Sequence, residues 1–217
     1  MMSWTLGGYP SVNVNLVSNI DNNFDYDKWL SDVYDKDVKQ IKLGINYLSK
    51  AFKLLPYSQS LLYMSRLQIG PTNLLYKTKT NRTSTMVTYP YDDISNWLGS
   101  YDRDTFVSSL SKLIKIYKKG IKVLSNIDSN NYLTNELIRN AKAYLINIES
   151  LLNQYLYIEA RDNGSNDLKK YINKEYKLTK ELYALAALDS KIGFEASNQY
   201  YYTQNSFLEK IINIKSH

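Results

Sequence analysis

Eight apolar residues, Leu133, Leu137, Ala141, Tyr144, Ile148, Leu151, Tyr155 and Ile158, follow one another at three- and four-residue steps without a break. That spacing lines one face of a helix and cannot be a strand, whose faces alternate every second residue. It predicts one long rod that begins near Asn131 and ends near Asn163-Gly164, where glycine supplies the left-handed turn that stops a helix. Three more stripes obey the same rule. Val38, Ile41, Ile45, Leu48, Phe52 and Leu55 predict a helix from about Asp35 that Pro56 ends. Leu110, Leu113, Ile114, Tyr117, Ile121 and Leu124 predict another from about Arg103 to Leu124. Leu168, Tyr171, Glu175, Leu178, Leu182 and Leu185 predict a fourth from about Asn166, with Ala184, Ala186 and Ala187 small enough for close approach. The expected fold is therefore mainly α, an antiparallel helical bundle with irregular aromatic-rich loops.

Composition removes several kinds of chemistry. The 217 residues include no cysteine, and the one histidine is His217. Thiolate nucleophiles, disulfides, His-ligated zinc and Ser-His-Asp catalysis are thus excluded, and neither a metal nor another cofactor is expected. Carboxylates, tyrosines, lysines and backbone groups remain. The formal charge of +6 comes from 27 basic against 21 acidic residues. Lys112, Lys115, Lys118, Lys119 and Lys122 lie opposite the apolar stripe of the second long helix, the arrangement of an ordinary solvated face; nucleic acid is not the expected partner, since no recognised binding module accompanies the charge. No apolar stretch approaches the ~20 residues of a membrane span, so no membrane role is expected. The first residues lack a basic segment followed by an apolar one, and the chain as written reads as cytoplasmic.

Three segments refuse the helical pattern: Trp4 to Asn15, Leu67 to Tyr101 and Gly193 to Thr203. Each mixes Gly or Pro with aromatic and short polar residues, the composition of loops that bind something or of wedges that pack the ends of a bundle. Aromatic faces suit the C–H faces of a pyranose, and Asn, Asp and Glu suit its hydroxyls. Asp92 and Asp93 are adjacent carboxylates between Tyr91 and Trp97, read either as polar contacts of a site or as helix caps. Arg161-Asp162 reads as a local ion pair or as a bridge to one of the loops.

Trp4-Thr5-Leu6-Gly7-Gly8-Tyr9-Pro10-Ser11, Leu67-Gln68-Ile69-Gly70-Pro71-Thr72-Asn73-Leu74-Leu75-Tyr76, Tyr89-Pro90-Tyr91-Asp92-Asp93 and Ile192-Gly193-Phe194-Glu195-Ala196-Ser197-Asn198-Gln199-Tyr200 together resemble the C-terminal helical region of large hexosaminidase-like glycoside hydrolases. Val12 stands where that pattern has proline. The resemblance implies that residues 1–20 are the remnant of a barrel-end strand and loop, and that residues 21–217 form a helical accessory domain. It implies carbohydrate as the ligand and a catalytic barrel as the partner. It also implies a sugar-binding set made of Trp4, Tyr9, Asn73, Tyr89, Asp92, Glu195, Asn198 and Tyr200. The acid and the base or nucleophile would lie on barrel strands outside these residues, so the chain is not expected to be an enzyme by itself. A stand-alone carbohydrate-binding or scaffold module is the alternative.

Overall fold

A computed structural model describes residues 11–20, 23–34, 37–67, 69–84, 91–128, 130–195, 199–200 and 202–217, and of residues 11–14, 194–195 and 199–200 the backbone only. The described residues are mainly helical: α1 (Ser11–Asn19), α2 (Tyr26–Tyr34), α3 (Val38–Phe52), α4 (Gln59–Tyr63), α5 (Ile94–Trp97), α6 (Arg103–Ser125), α7 (Tyr132–Asp162), α8 (Lys169–Leu188) and α9 (Gln204–Lys215). A 3-10 turn spans Gly70–Thr72, and β1 (Phe194–Glu195) pairs antiparallel with β2 (Gln199–Tyr200), Phe194 opposite Tyr200.

The four long rods fall where the stripes put them, and the local chemistry of their ends explains the boundaries. Asp102 caps α6 by accepting the Thr105 N–H at 2.7 Å. Asn131 caps α7 by accepting the N–H groups of Leu133 and Thr134. Beyond α7, Gly164 adopts φ +69°, and the N–H groups of Gly164 and Ser165 return to the carbonyls of Arg161 and Ala160. This closure satisfies carbonyls that the last turn would leave bare.

Contacts between rods run in opposite sequence directions, which makes the bundle antiparallel. Gly44 and Leu48 of α3 meet Leu124 and Gly120 of α6. Arg103, Phe106 and Tyr117 of α6 meet Glu159, Tyr155 and Tyr144 of α7. Asn153 of α7 donates to the Tyr171 carbonyl and Arg139 pairs with Asp189, so α8 returns along α7. The 31-residue α7 is the axis, about 46 Å long. It buries Leu137, Ala141, Tyr144, Ile148, Leu151, Tyr155 and Ile158 of the predicted stripe, together with Asn140 at the edge of that stripe and Asn147, Ser150, Asn153 and Gln154 beside it. The lysines of α6 face outward, and Lys118 reaches Glu149 at 2.7 Å.

Three local expectations are corrected. The first irregular segment was to extend to Asn15, but the chain is helical from Ser11, because Leu16 packs on the core and Asn15 accepts the Trp29 indole N–H at 2.8 Å. Phe52, assigned to the buried stripe of α3, is 39% exposed at the end of its helix, where the stripe turns past the core edge. Ala184 and Ala187 are exposed, so close approach along α8 is made elsewhere. No described helix is long and apolar enough to cross a membrane.

The α3–α6 crossing is the closest helix approach that glycine permits here. A methyl at Gly120 would stand 2.8 Å from Leu48 Cδ2 and 3.0 Å from the Gly44 carbonyl oxygen. In a free helix Gly→Ala stabilises by about 1 kcal/mol. At Gly120 the clash with a backbone oxygen reverses the sign, and Gly120→Ala is expected to destabilise by about 1–3 kcal/mol in urea unfolding. A more stable variant would show that the crossing has room to spare.

Candidate functional site

The described part of the irregular second segment is tied to the bundle. Residues 66–67 and 69–84 form a strap whose stretch from Arg66 to Thr78 is held by α7, and side chains rather than a strand partner satisfy backbone groups there. Arg66 donates to the Leu74 carbonyl and, at 2.9 Å, to Gln154 Oε1, and its guanidinium sits 5.4 Å from the Tyr76 ring and 5.7 Å from the Trp97 ring. Gln154 Nε2 donates to the Gly70 carbonyl at 3.0 Å. Gly70 has φ +47°, and a methyl there would lie 2.6 Å from Asn147 Oδ1. Both facts require glycine: a left-handed backbone and no room for Cβ. From the other side Asn147 Nδ2 donates to the Tyr202 hydroxyl at 3.0 Å. The second and third irregular segments therefore converge on the middle of α7.

Beneath the strap lies a buried charged cluster. The Glu175 carboxylate of α8 accepts from Ser150 Oγ at 2.6 Å, Asn153 Nδ2 at 2.9 Å and Gln154 Nε2 at 2.8 Å, and Lys210 Nζ of α9 stands 3.5 Å away. Lys210 also donates to the Asn73 carbonyl. Arg66, Glu175 and Lys210 are all fully buried. Burial pushes the Lys210 ammonium down to about 8; Glu175 opposes that shift and Arg66 adds to it.

A second polar centre sits at Arg161, seven residues beyond Gln154 along α7, about 10 Å by helical rise. Arg161 pairs with Asp92 at 2.8 Å and donates to the carbonyl of Tyr76 at 2.8 Å, while also holding Asp162. Asp92 accepts the Thr80 N–H and hydroxyl as well. Burial alone would raise the Asp92 carboxyl, but the Thr80 hydroxyl and the Arg161 guanidinium outweigh it and hold it below the ordinary carboxylate value. Asp93 accepts the Ser84 N–H at 2.9 Å, and Ser84 Oγ in turn accepts the Tyr91 N–H. Tyr91 stacks on Tyr76 at 6.5 Å between ring centres, and Arg82 donates to its hydroxyl.

The contacts place two of the expected sugar set inside the fold. Asn73 is fully buried, its amide donating to the carbonyls of Arg66 and Gly70, so it closes the loop. Asp92 is 2% exposed and committed to Thr80 and Arg161. Nor do the two aspartates cap α5 with their side chains: Asp93 holds the capping position, but its carboxylate accepts from the Asn96 side chain and from Ser84 rather than from a backbone N–H of the helix, and Asp92 turns to Thr80. Glu195 and Tyr200 lie on the two paired strands, and of their side chains nothing is described. Trp4, Tyr9, Tyr89 and Asn198 lie outside the described residues. Arg161 makes both contacts that sequence left open, the local pair with Asp162 and the bridge to a loop.

Sequence reading missed Arg66, Asn147, Gln154 and Lys210. Lys210 carried a signal, since with Phe207 and Ile214 it continues the buried three/four pattern of α9. Among the described residues no three His, Asp or Glu side chains gather as they would around a metal ion. No family model, curated protein or solved structure matches the chain.

Two outcomes are expected from this geometry. Asp92→Asn removes the more deeply buried of the two carboxylates that pair with Arg161 and should destabilise by about 3 kcal/mol, read from urea midpoints; an unchanged midpoint would mean that this ion pair contributes nothing. The pH dependence has two parts of opposite sign. Lys210 holds its proton less tightly folded, at about 8, than unfolded, near 10.5. The unfolded chain therefore binds more protons between those values, and this group adds stability as pH rises through that window. Tyr34, Tyr117 and Tyr144 are raised above 10.0, by burial first of all. They keep their protons when folded, so stability falls as pH climbs past 10. The stability difference between wild type and Lys210→Met, measured from pH 7 to 10.5, should move in favour of wild type above pH 8. A flat difference refutes the assignment.

Proposed function

We propose that this chain is a helical accessory domain of a glycoside-hydrolase-like protein, which lends aromatic and polar residues to one wall of a carbohydrate cleft and carries no catalysis alone. The observation that supports the reading is the convergence of the motif segments. Gly70 rests on Asn147, and Asn147 holds the Tyr202 hydroxyl, so segments more than a hundred residues apart are fixed side by side on α7. Loops pinned to a rigid rod are what a binding wall needs, because the wall then loses little entropy when a ligand arrives. In this reading Asn73 and Asp92 hold the wall from behind. The contacts to sugar fall to Trp4, Tyr9, Tyr89, Glu195, Asn198 and Tyr200, with the missing half of the cleft supplied by a barrel.

The burial of Asn73 and Asp92 favours the rival, a stand-alone helical scaffold without a ligand. Titration of the chain with neutral oligosaccharides, followed through tryptophan fluorescence, separates the two. Trp29 and Trp97 are buried, so a ligand-dependent signal should come from Trp4 and vanish in Trp4→Ala. The expected affinity is weak, about millimolar, since one wall cannot surround a sugar. No turnover of aryl glycosides is expected. Absence of any saturable signal up to about ten times that concentration hands the case to the scaffold.

A further inference from the structure

The last helix is held to the fold differently from the others. Besides Phe207 and Ile214, its inner face presents Lys210 and Asn213, and His217 follows directly after it. All three engage one short stretch of the strap. Asn213 acts there as a strand partner would: its Oδ1 accepts the Leu75 N–H at 2.8 Å and its Nδ2 donates to the Leu75 carbonyl at 2.8 Å. Lys210 holds the Asn73 carbonyl, and the His217 ring lies 3.2 Å from the Leu75 carbonyl and 3.3 Å from the Tyr157 hydroxyl. The outer face leaves Leu208 and Ile212 exposed. The charged groups around Lys210 are Glu175 from α8, Arg66 from the strap and His217 from its own end of the chain; α7 offers the neutral Ser150, Asn153 and Gln154.

At 12 residues α9 is at the lower limit for a helix that stands alone in water. Its docking joins two buried apolar anchors, Phe207 and Ile214, to polar pairs, and a buried ion pair adds little net stability once desolvation is counted. The same pair is strict about position. Any shift of α9 along α8 would leave the Lys210 charge buried without its carboxylate and the Leu75 backbone without Asn213.

We propose that α9 is a releasable latch: it undocks as one unit well before the α6–α7 core unfolds, and undocking releases the Leu75 N–H and carbonyl and the Asn73 carbonyl together. The inference is independent of the carbohydrate reading, which depends on other residues.

Amide hydrogen exchange on the full chain tests it. In wild type the amides of α9 and Leu75 should exchange together, at least about tenfold faster than those of α6 and α7. Glu175→Gln removes the counter-charge of Lys210 and should speed α9 and Leu75 by a further tenfold or so, while α3 and α6, which lie away from that carboxylate and its α7 donors, hold their protection. Adding Lys210→Met to that variant removes the stranded charge and should restore the slow exchange. Exchange of α9 at the α7 rate in wild type overturns the proposal, as does a Leu75 amide that stays protected when α9 opens, or a failure of Lys210→Met to restore. Should Glu175→Gln not fold, wild type in rising sub-denaturing urea decides alone: α9 and Leu75 opening below the α7 transition supports the latch, and a single shared transition overturns it.

Discussion

The Glu175 carboxylate is the point on which the rest of the architecture is hung. Three donors on one side of α7, Ser150, Asn153 and Gln154, occupy positions i, i+3 and i+4, and all three reach it. Residues so spaced share a helix face, so meeting a single carboxylate fixes the rotation of α7 against α8 as well as their register. Lys210 brings α9 to the same group. Gln154 then carries the order outward, to the Gly70 carbonyl and to Arg66. Apolar burial between helices is not directional and would tolerate small slides and turns. A buried carboxylate with fixed donors does not, because each lost hydrogen bond leaves a polar group stranded away from water.

The strap shows how irregular backbone can lie against a core. Its carbonyls at Leu74, Leu75 and Tyr76 are met by Arg66, Asn213, Tyr157 and Arg161. At its far end Asp92 and Asp93 bind Thr80 and Ser84 and close the segment on itself. In this setting short polar residues and arginines do the work of a ladder. Polar residues in an aromatic-rich loop were open to a ligand-binding reading on composition, and at Asn73 and Asp92 the strap uses them to tie itself down.

That division bears on how a binding surface could be built on this fold. Buried arginines and aspartates make the backbone of the loops rigid, and the tips are then free to carry whatever chemistry the surface needs. The stacked pair of Tyr76 and Tyr91, with Arg82 over the outer ring, is the most prominent aromatic feature that the described part of the strap turns towards its edge.

How much was legible in the sequence follows from the range of the forces involved. The four rods, the cap at Asn131 and the stop at Gly164 are local, set by three/four spacing and by the conformational freedom of single residues, and they stand in the structure within a few residues of where periodicity puts them. Even Glu175 was placed on an apolar stripe by its spacing alone. What spacing cannot supply is the partner. Arg66 finds Gln154 across 88 residues, Leu75 finds Asn213 across 138, and Arg161 chooses Asp92 in addition to its neighbour Asp162. An isolated polar residue in a sequence is equally suited to water, to a ligand or to another side chain, since the donors and acceptors are the same in each case. Sequence therefore determined which segments are helical and which faces are apolar, while only the tertiary structure, by excluding water from some of those groups, decided that Asn73 and Asp92 are buried and which groups they bind.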